Sequence, residues 1–361
     1  MGQMVNLDYL SIFQNKRVML TGHTGFKGSW LAFLLNKIGA EVLGYALDPI
    51  EKQNHFNLLE LDKSINHIVA DIRDDKKLKK TMKDFQPDFV FHLAAQALVR
   101  PSYNDPRTTF ETNVMGSVNL LEAVRDCDSV RSFVYVTSDK CYENNEWVWG
   151  YRENDRLGGH DPYSASKAAA EIIFSAYSKS FFFDKPELGA ASTRAGNVIG
   201  GGDWALDRII PDCVRAIQLN EPIYLRNPAA TRPWQHVLEP LSGYLLLAAR
   251  LFEDPENYSG SWNFGPPSSE IRTVAEVAQH MVDRFGSGSV TKSENNHHHY
   301  HEAQLLQLNC DKSHQLLGWY PRWSADETIE KTLDWYIQIQ NNRSAKEVTL
   351  QQLYEYFPEL N

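Results

Sequence analysis

The sequence predicts an α/β fold, a doubly wound parallel sheet with a smaller mixed α/β region beside it. Three observations predict this. Apolar, strand-like runs alternate with helical patterns through the first half of the chain. The first run leads directly into a glycine-rich turn and then a helix, the opening of a phosphate-cradling strand–turn–helix unit. Beyond Leu188 the alternation gives way to helical patterns separated by loops and short strands.

At 361 residues the chain suffices for one large or two unequal domains. The expected division is 1–195 for the sheet, with a helix near 238–252 returning to it, and 196–361 for most of the smaller region. Hydrophobic content of 42% and charged content of 23% describe an ordinary globular protein. Neither a membrane-length apolar run nor a signal-peptide pattern is read, so the expected compartment is the cytoplasm. Cys127, Cys141, Cys213 and Cys310 are scattered without metal or disulfide spacing, and are read as free thiols. A net charge of −10 argues against nucleic-acid or anionic-membrane partners. Anionic ligands would then need local arginines.

In chain order, residues 17–20 read as a buried strand. Thr21-Gly-His-Thr-Gly-Phe-Lys-Gly28 follows, then a helix over 29–38 that stops at Gly39. Gly22 permits the tight turn, Gly25 lets a pyrophosphate approach the helix N-terminus, and Gly28 lets helix and strand pack closely. Thr24, Phe26 and Lys27 complete this expected cofactor cradle. The next strand, 41–46, leads to Asp48, twenty residues past Gly28. A carboxylate there accepts from ribose hydroxyls and repels a 2′-phosphate, which favours NAD over NADP. Strands at 67–72 and 88–95 place Asp71 and Ile72 beside the adenine and Ala94 and Ala95 on the cofactor's far side. A Lys-rich amphipathic helix, 74–85, separates them, and a long helix at 108–125 precedes a strand at 132–137. Together these describe a Rossmann-type sheet.

That last strand ends in Thr137-Ser-Asp-Lys-Cys-Tyr142, and Tyr163-Ser-Ala-Ser-Lys167 opens a helix running to about residue 181. Tyr163 and Lys167 share a helix face, so the ammonium is expected to lower the phenol's pKa and let it act as a base. Ser138, Asp139, Lys140, Tyr163 and Lys167 are therefore the candidate catalytic set. Tyr163 and Lys167 also count as cofactor contacts.

After a strand reaching residue 195, helices are read at 208–219, 238–252, 273–285 and 326–339, with short strands at 222–226 and 261–264. Arg208, Arg226 and Arg232 are candidate clamps for a nucleotide diphosphate, with Asn197 and His236 as further substrate contacts. The tract His297-His-His-Tyr-His301 lacks a supporting Cys or acidic cluster, and no metal is expected.

Longer strings carry a resemblance. Besides the glycine turn and 137–142 they are Trp149-Gly-Tyr-Arg-Glu153, Arg194-Ala-Gly-Asn-Val-Ile-Gly-Gly-Gly-Asp-Trp204, Arg232-Pro-Trp-Gln-His-Val-Leu-Glu-Pro240 and Leu317-Gly-Trp-Tyr-Pro-Arg-Trp323. On these, residues 21–323 resemble the extended short-chain dehydrogenase/reductases and, among them, the CDP-glucose 4,6-dehydratases. The Asp139-Lys140 pair is similar to that branch, whereas the dTDP-glucose branch typically has Asp-Glu. The resemblance implies a hydro-lyase with bound NAD, CDP-glucose as substrate, a homodimer built on the two long helices, and a place in deoxysugar and O-antigen biosynthesis. A sugar-nucleotide 4-epimerase would use the same Tyr163, Lys167 and glycine turn without needing the Asp-Lys pair. A non-catalytic NAD-binding regulator would be expected to lose one of the four ionisable residues, and none is lost.

Overall fold

A computed structural model describes residues 7–49, 53–267, 270–292 and 305–361; the histidine tract at 297–301 lies outside them. Seven strands form one parallel sheet: β1 (Arg17–Thr21), β2 (Glu41–Ala46), β3 (Asn66–Val69), β4 (Phe89–His92), β5 (Ser132–Val136), β6 (Gly189–Ala195) and β7 (Gly260–Phe264). Their spatial order is β7-β6-β5-β4-β1-β2-β3. The winding reverses between β1 and β4, so the loops after these strands diverge and leave a crevice at the carboxyl edge. Every residue of β4, β5 and β6 is buried. Strands covered on both faces read as continuous rather than alternating apolar runs, which is why they are visible in the sequence.

Helix α1 (Phe26–Ile38) packs over β1 and ends at Gly39, which has φ 92°. Helix α2 (Asp75–Phe85) begins six residues after β3 ends at Val69, across a turn in which the Arg73 amide donates to Asp71. The reading of 88–95 as strand extends past the pairing, since only Phe89–His92 form a ladder. Helix α3 (Gly116–Arg125) is the last part of the expected 108–125 helix. It is preceded by Pro106–Phe110 and a wide π-type turn, Glu111–Met115. That wide turn aims Asn113 inward, where its amide donates to Ser166 Oγ at 2.9 Å and to the Gln96 carbonyl at 3.0 Å. Helix α4 (Pro162–Tyr177) also ends in such a turn, Ser178–Phe182.

Helix α5 (Leu238–Glu253) returns to the sheet, packing on β5 and β6, and Ser132 Oγ donates to the Ala248 carbonyl at 2.9 Å. The strand read at 261–264 was grouped with the smaller region, but it pairs with β6 and extends the main sheet. No local pattern announces this, because the pairing joins segments some 65 residues apart. The remaining short strands make three separate two-stranded pairs. Among the described residues no helix is long and apolar enough to cross a membrane.

The crevice depends on close contact between β1's turn and α1. A Cβ on Gly28 would lie 2.1 Å from the Gly22 carbonyl oxygen, and one on Gly22 (φ +77°) would lie 2.6 Å from the Ala94 amide nitrogen. Both obstacles are backbone and neither rotates away. Gly28→Ala should therefore destabilise the fold by about 2 kcal/mol or more, read as a lowered denaturant midpoint. An unchanged midpoint would mean that α1 moves off the strand freely.

Candidate active site

β5 delivers Thr137 and Ser138 to the carboxyl edge of the sheet. Ser138 caps a single helical turn, Asp139–Cys141, accepting from the Lys140 amide at 3.2 Å and donating to Asp139 Oδ1 at 2.8 Å. Asp139 is buried, and burial raises its carboxyl pKa against the opposing pull of Lys140, the Ser138 hydroxyl and Lys27. Lys140 is half-buried at the rim. Beside Asp139 lies a cavity lined by Gly196, Pro233, Gly265, Pro266 and Leu308. A Cβ on Gly196 would stand 3.3 Å from Asp139 Oδ2.

Tyr163 and Lys167 face this turn from α4. Asp161 caps the helix by accepting from the Ser164 amide at 2.9 Å, Pro162 occupies its first turn, and the Tyr163 amide donates to Ser102 Oγ at 3.2 Å. Ser138 lies close enough to the Tyr163 hydroxyl to favour its ionised form. The expectation that Lys167 lowers the phenol's pKa is not met: burial pushes Tyr163 up to about 12, outweighing Ser138 and the charge of Arg208. The reason is shared burial. Lys167 Nζ lies 6.0 Å from the ring centroid, and burial pulls this lysine down to about 8 while Glu171 opposes the fall.

Two further cations complete the pocket. Lys27 is pulled down to about 8 by burial and by the charges of Arg208 and Lys167, with Asp139 opposing. Arg208 pairs with Asp203 at 2.7 Å, which holds it above its ordinary range. Segments from the glycine turn, β5, α4 and the loop after β6 thus meet at one point.

The glycine turn fits a dinucleotide. Gly25 is exposed, and a Cβ there would meet only the Gly22 carbonyl at 3.4 Å. Gly25 caps α1 without any side-chain hydrogen bond, so the helix's first amides are left to an anion. Thr24 donates to the Leu47 carbonyl at 2.8 Å, tying the turn to the exposed loop that carries Asp48. Phe26 is half-buried in α1's first turn, and Ala94 and Ala95 are half-buried on the opposite side of the crevice. Asp71 is held by Arg73 at 2.7 Å. The Ile72 side chain packs in the core with Leu78 and Leu120, and its carbonyl accepts from Asn119 at 3.2 Å.

Of the substrate candidates, Arg208 reaches the pocket's field and Asn197 lies in the loop after β6, its carbonyl accepting from the Gln235 amide at 3.1 Å. Arg226 meets Asp207 at 3.3 Å, and the same carboxylate oxygen takes Arg100 at 2.8 Å. Arg232 donates to the Thr231 carbonyl on the short strand Thr231–Pro233. His236 is a correction. Its ring is fully buried against Trp30 and Trp323, Nδ1 accepts from the Leu238 amide at 3.3 Å, and burial pulls its pKa down to about 3. It is a core residue.

The profile of the GDP-mannose 4,6 dehydratase family matches residues 19–332. The chain belongs to this family. Within it, the chain is 48% identical over 332 residues to a CDP-glucose 4,6-dehydratase of Salmonella typhimurium, covering 90% of this chain and 92% of that one. A dTDP-glucose 4,6-dehydratase from Streptomyces venezuelae, solved with NAD bound, superposes with a TM-score of 0.75 at 25% identity, covering 90% of this chain and 98% of that one. An epimerase from Methanothermobacter thermautotrophicus gives 0.79 at 23% identity, covering 93% and 96%, a likeness of fold.

Several residues of this dehydratase-family site escape a sequence reading: Ser102, Asp203, Glu171 and Arg194. Asp161-Pro162 ahead of Tyr163 is a readable cap signature, and Glu171 stands one turn past Lys167 on the same face. The others depend on tertiary approach.

Asp139 yields a stability prediction. Its folded pKa lies above the ordinary 3.8, so ionising it costs stability as pH rises through the folded value, and below 3.8 the cost is absent. Asp139→Asn should raise the melting temperature at pH 7–8 by roughly 2 °C, with the gain vanishing towards acid pH. A variant less stable than the parent at neutral pH would contradict the assignment.

Proposed function

We propose that the chain is a CDP-glucose 4,6-dehydratase, converting CDP-D-glucose to CDP-4-keto-6-deoxy-D-glucose and water with bound NAD. The observation that carries this is the 48% identity over nine-tenths of both chains, joined to a pocket in which a buried carboxyl raised towards its neutral form adjoins a lysine and a tyrosine. Gly22, Gly25, Gly28 and the first amides of α1 would hold the pyrophosphate, and Asp48 the adenosine ribose. NAD bound there would supply a reversible hydride acceptor, between oxidation at sugar carbon 4 and reduction at carbon 6.

The protein's own groups supply the proton transfers. Tyr163, as its phenolate and with Ser138 on the same oxygen, takes the proton of the 4-hydroxyl. The resulting ketone acidifies the proton at carbon 5, which Lys140 removes. Asp139 in its neutral form gives a proton to the departing 6-hydroxyl, so water leaves, and Lys140 returns a proton to carbon 5 when carbon 6 is reduced. Arg208, with Lys27 beside it, supplies local positive charge for the diphosphate in a chain of net charge −10.

The same reading places the reaction in the cytoplasm, feeding deoxysugars for O antigen; four buried free thiols suit a reducing compartment. It also makes the protein a homodimer. Met115, Ile172 and Phe183 leave large apolar surface on the helical segments around α3 and α4, which a second copy would cover.

Turnover of CDP-glucose against dTDP-, UDP- and GDP-glucose tests the reading, and preference for another nucleotide would overturn the substrate. Lys140→Met tests the chemistry. It should cut turnover by roughly 10²-fold or more while still permitting oxidation at carbon 4, so near-ultraviolet absorbance of NADH persists after mixing. The parent in deuterated water should place deuterium at carbon 5, seen by NMR. A mutant that keeps most of its rate, or a product without that deuterium, rules Lys140 out as the base.

A further inference from the structure

The catalytic turn and the catalytic helix are separate pieces of chain, and one buried ion pair touches both. Glu171 lies on α4, one turn beyond Lys167, and Arg194 lies on β6; their side chains are 1% and 2% exposed and meet at 2.7 Å. Glu171 accepts from the Thr137 hydroxyl on one oxygen and from Ser192 Oγ (2.8 Å) and Arg194 on the other. Arg194 donates to the Tyr142 hydroxyl at 2.7 Å, the Glu153 carbonyl at 2.9 Å and Ser261 Oγ at 3.1 Å. Tyr142 in turn donates to Asn263 Oδ1 at 2.8 Å. Thr137 and Tyr142 are the residues immediately before Ser138 and after Cys141. The pair therefore grips both ends of the turn that carries Ser138, Asp139 and Lys140, while Glu171 belongs to the helix that carries Tyr163 and Lys167.

We infer that Glu171 and Arg194 are positioning residues whose ion pair fixes the catalytic turn against the catalytic helix, so that proton transfer at carbon 4 and elimination across carbons 5 and 6 occur in one substrate pose. This rests on the dehydratase reading. Stability alone does not account for the pair, because the attraction of a deeply buried ion pair is largely offset by desolvation and an apolar pair of the same shape is often no worse. Among the described residues Arg194 Nε is buried without a hydrogen-bond partner, while the two terminal nitrogens hold Glu171 and Tyr142. The alignment of those two nitrogens takes precedence over satisfying the third.

The test uses the full chain with bound NAD and three variants: Glu171→Gln, the neutral pair Glu171→Gln with Arg194→Met, and Tyr142→Phe. Melting temperature, kcat, KM for CDP-glucose and residual NADH absorbance are measured for each. Glu171→Gln should lose both stability and kcat. The neutral pair should regain the melting temperature yet stay roughly 10²-fold low in kcat, the scale on which small misplacements of reacting groups act. Tyr142→Phe, which removes one hydroxyl, should lower kcat roughly tenfold with KM unchanged. Recovery of kcat together with melting temperature in the neutral pair, or an undiminished kcat in Tyr142→Phe, overturns the inference; should the neutral pair not fold, Tyr142→Phe decides. A parent inert towards CDP-glucose sinks the functional reading instead, and the variants are then judged on whichever sugar nucleotide the parent turns over.

Discussion

Burial of charge is the constraint on which this site depends. The sheet is covered on both faces, so ionisable groups that must meet a substrate collect at its carboxyl edge, still largely out of water. There each unpaired group is pushed towards its neutral form: Asp139 up, Lys27 and Lys167 down. Glu171 is the contrast, because Arg194, Thr137 and Ser192 hold it below its ordinary value despite burial. One environment thus yields a carboxyl shifted towards its neutral form, lysines shifted towards theirs and a fixed ion pair behind them.

The C-terminal part of the chain supports the site at one remove. Beyond residue 324 the sequence offers no functional string, yet Ala325–Gln340 forms a helix whose Tyr336 hydroxyl donates to the Asp203 carbonyl at 2.6 Å. Asp203 is the partner of Arg208. The run Gly200-Gly-Gly202 has its explanation here as well: a Cβ on Gly201 would lie 2.0 Å from the Trp335 ring, and the Gly201 carbonyl accepts from Trp30 Nε1 at 2.9 Å. Gly201 admits the indole, whereas a Cβ on Gly200 would meet Val237 and one on Gly202 (φ +81°) the His55 ring. Gly201 lets the C-terminal helix press the loop after β6 into place, and that loop presents the arginine to the pocket.

How much of this was legible follows from the range of each interaction. The glycine turn, the strand-end turn and Tyr163 with Lys167 are local patterns, and the structure brings them to one crevice. Helix ends were off by a few residues where side chains such as Asp105 and Asp161 set the cap. β7 was misplaced because parallel pairing leaves no mark on neighbouring residues. His236 was misjudged because membership of a long matched string says nothing about which way a side chain points. The phenol of Tyr163 was misjudged because residue spacing reveals Lys167 but hides desolvation.

That last difference bears on how Tyr163 acts. With the phenol near 12, forming the phenolate at pH 7 costs about 7 kcal/mol, within a turnover barrier but a large share of it. A unit positive charge 4 Å away at an effective dielectric of about 20 contributes about 4 kcal/mol, enough to bring the phenol down by about three units. Lys167, near 8, is still mostly charged at neutral pH, so it can supply such a charge. Glu171 is the group that opposes its loss of charge on burial. The carboxylate one turn away therefore keeps the lysine a cation at the pH where the tyrosine needs one.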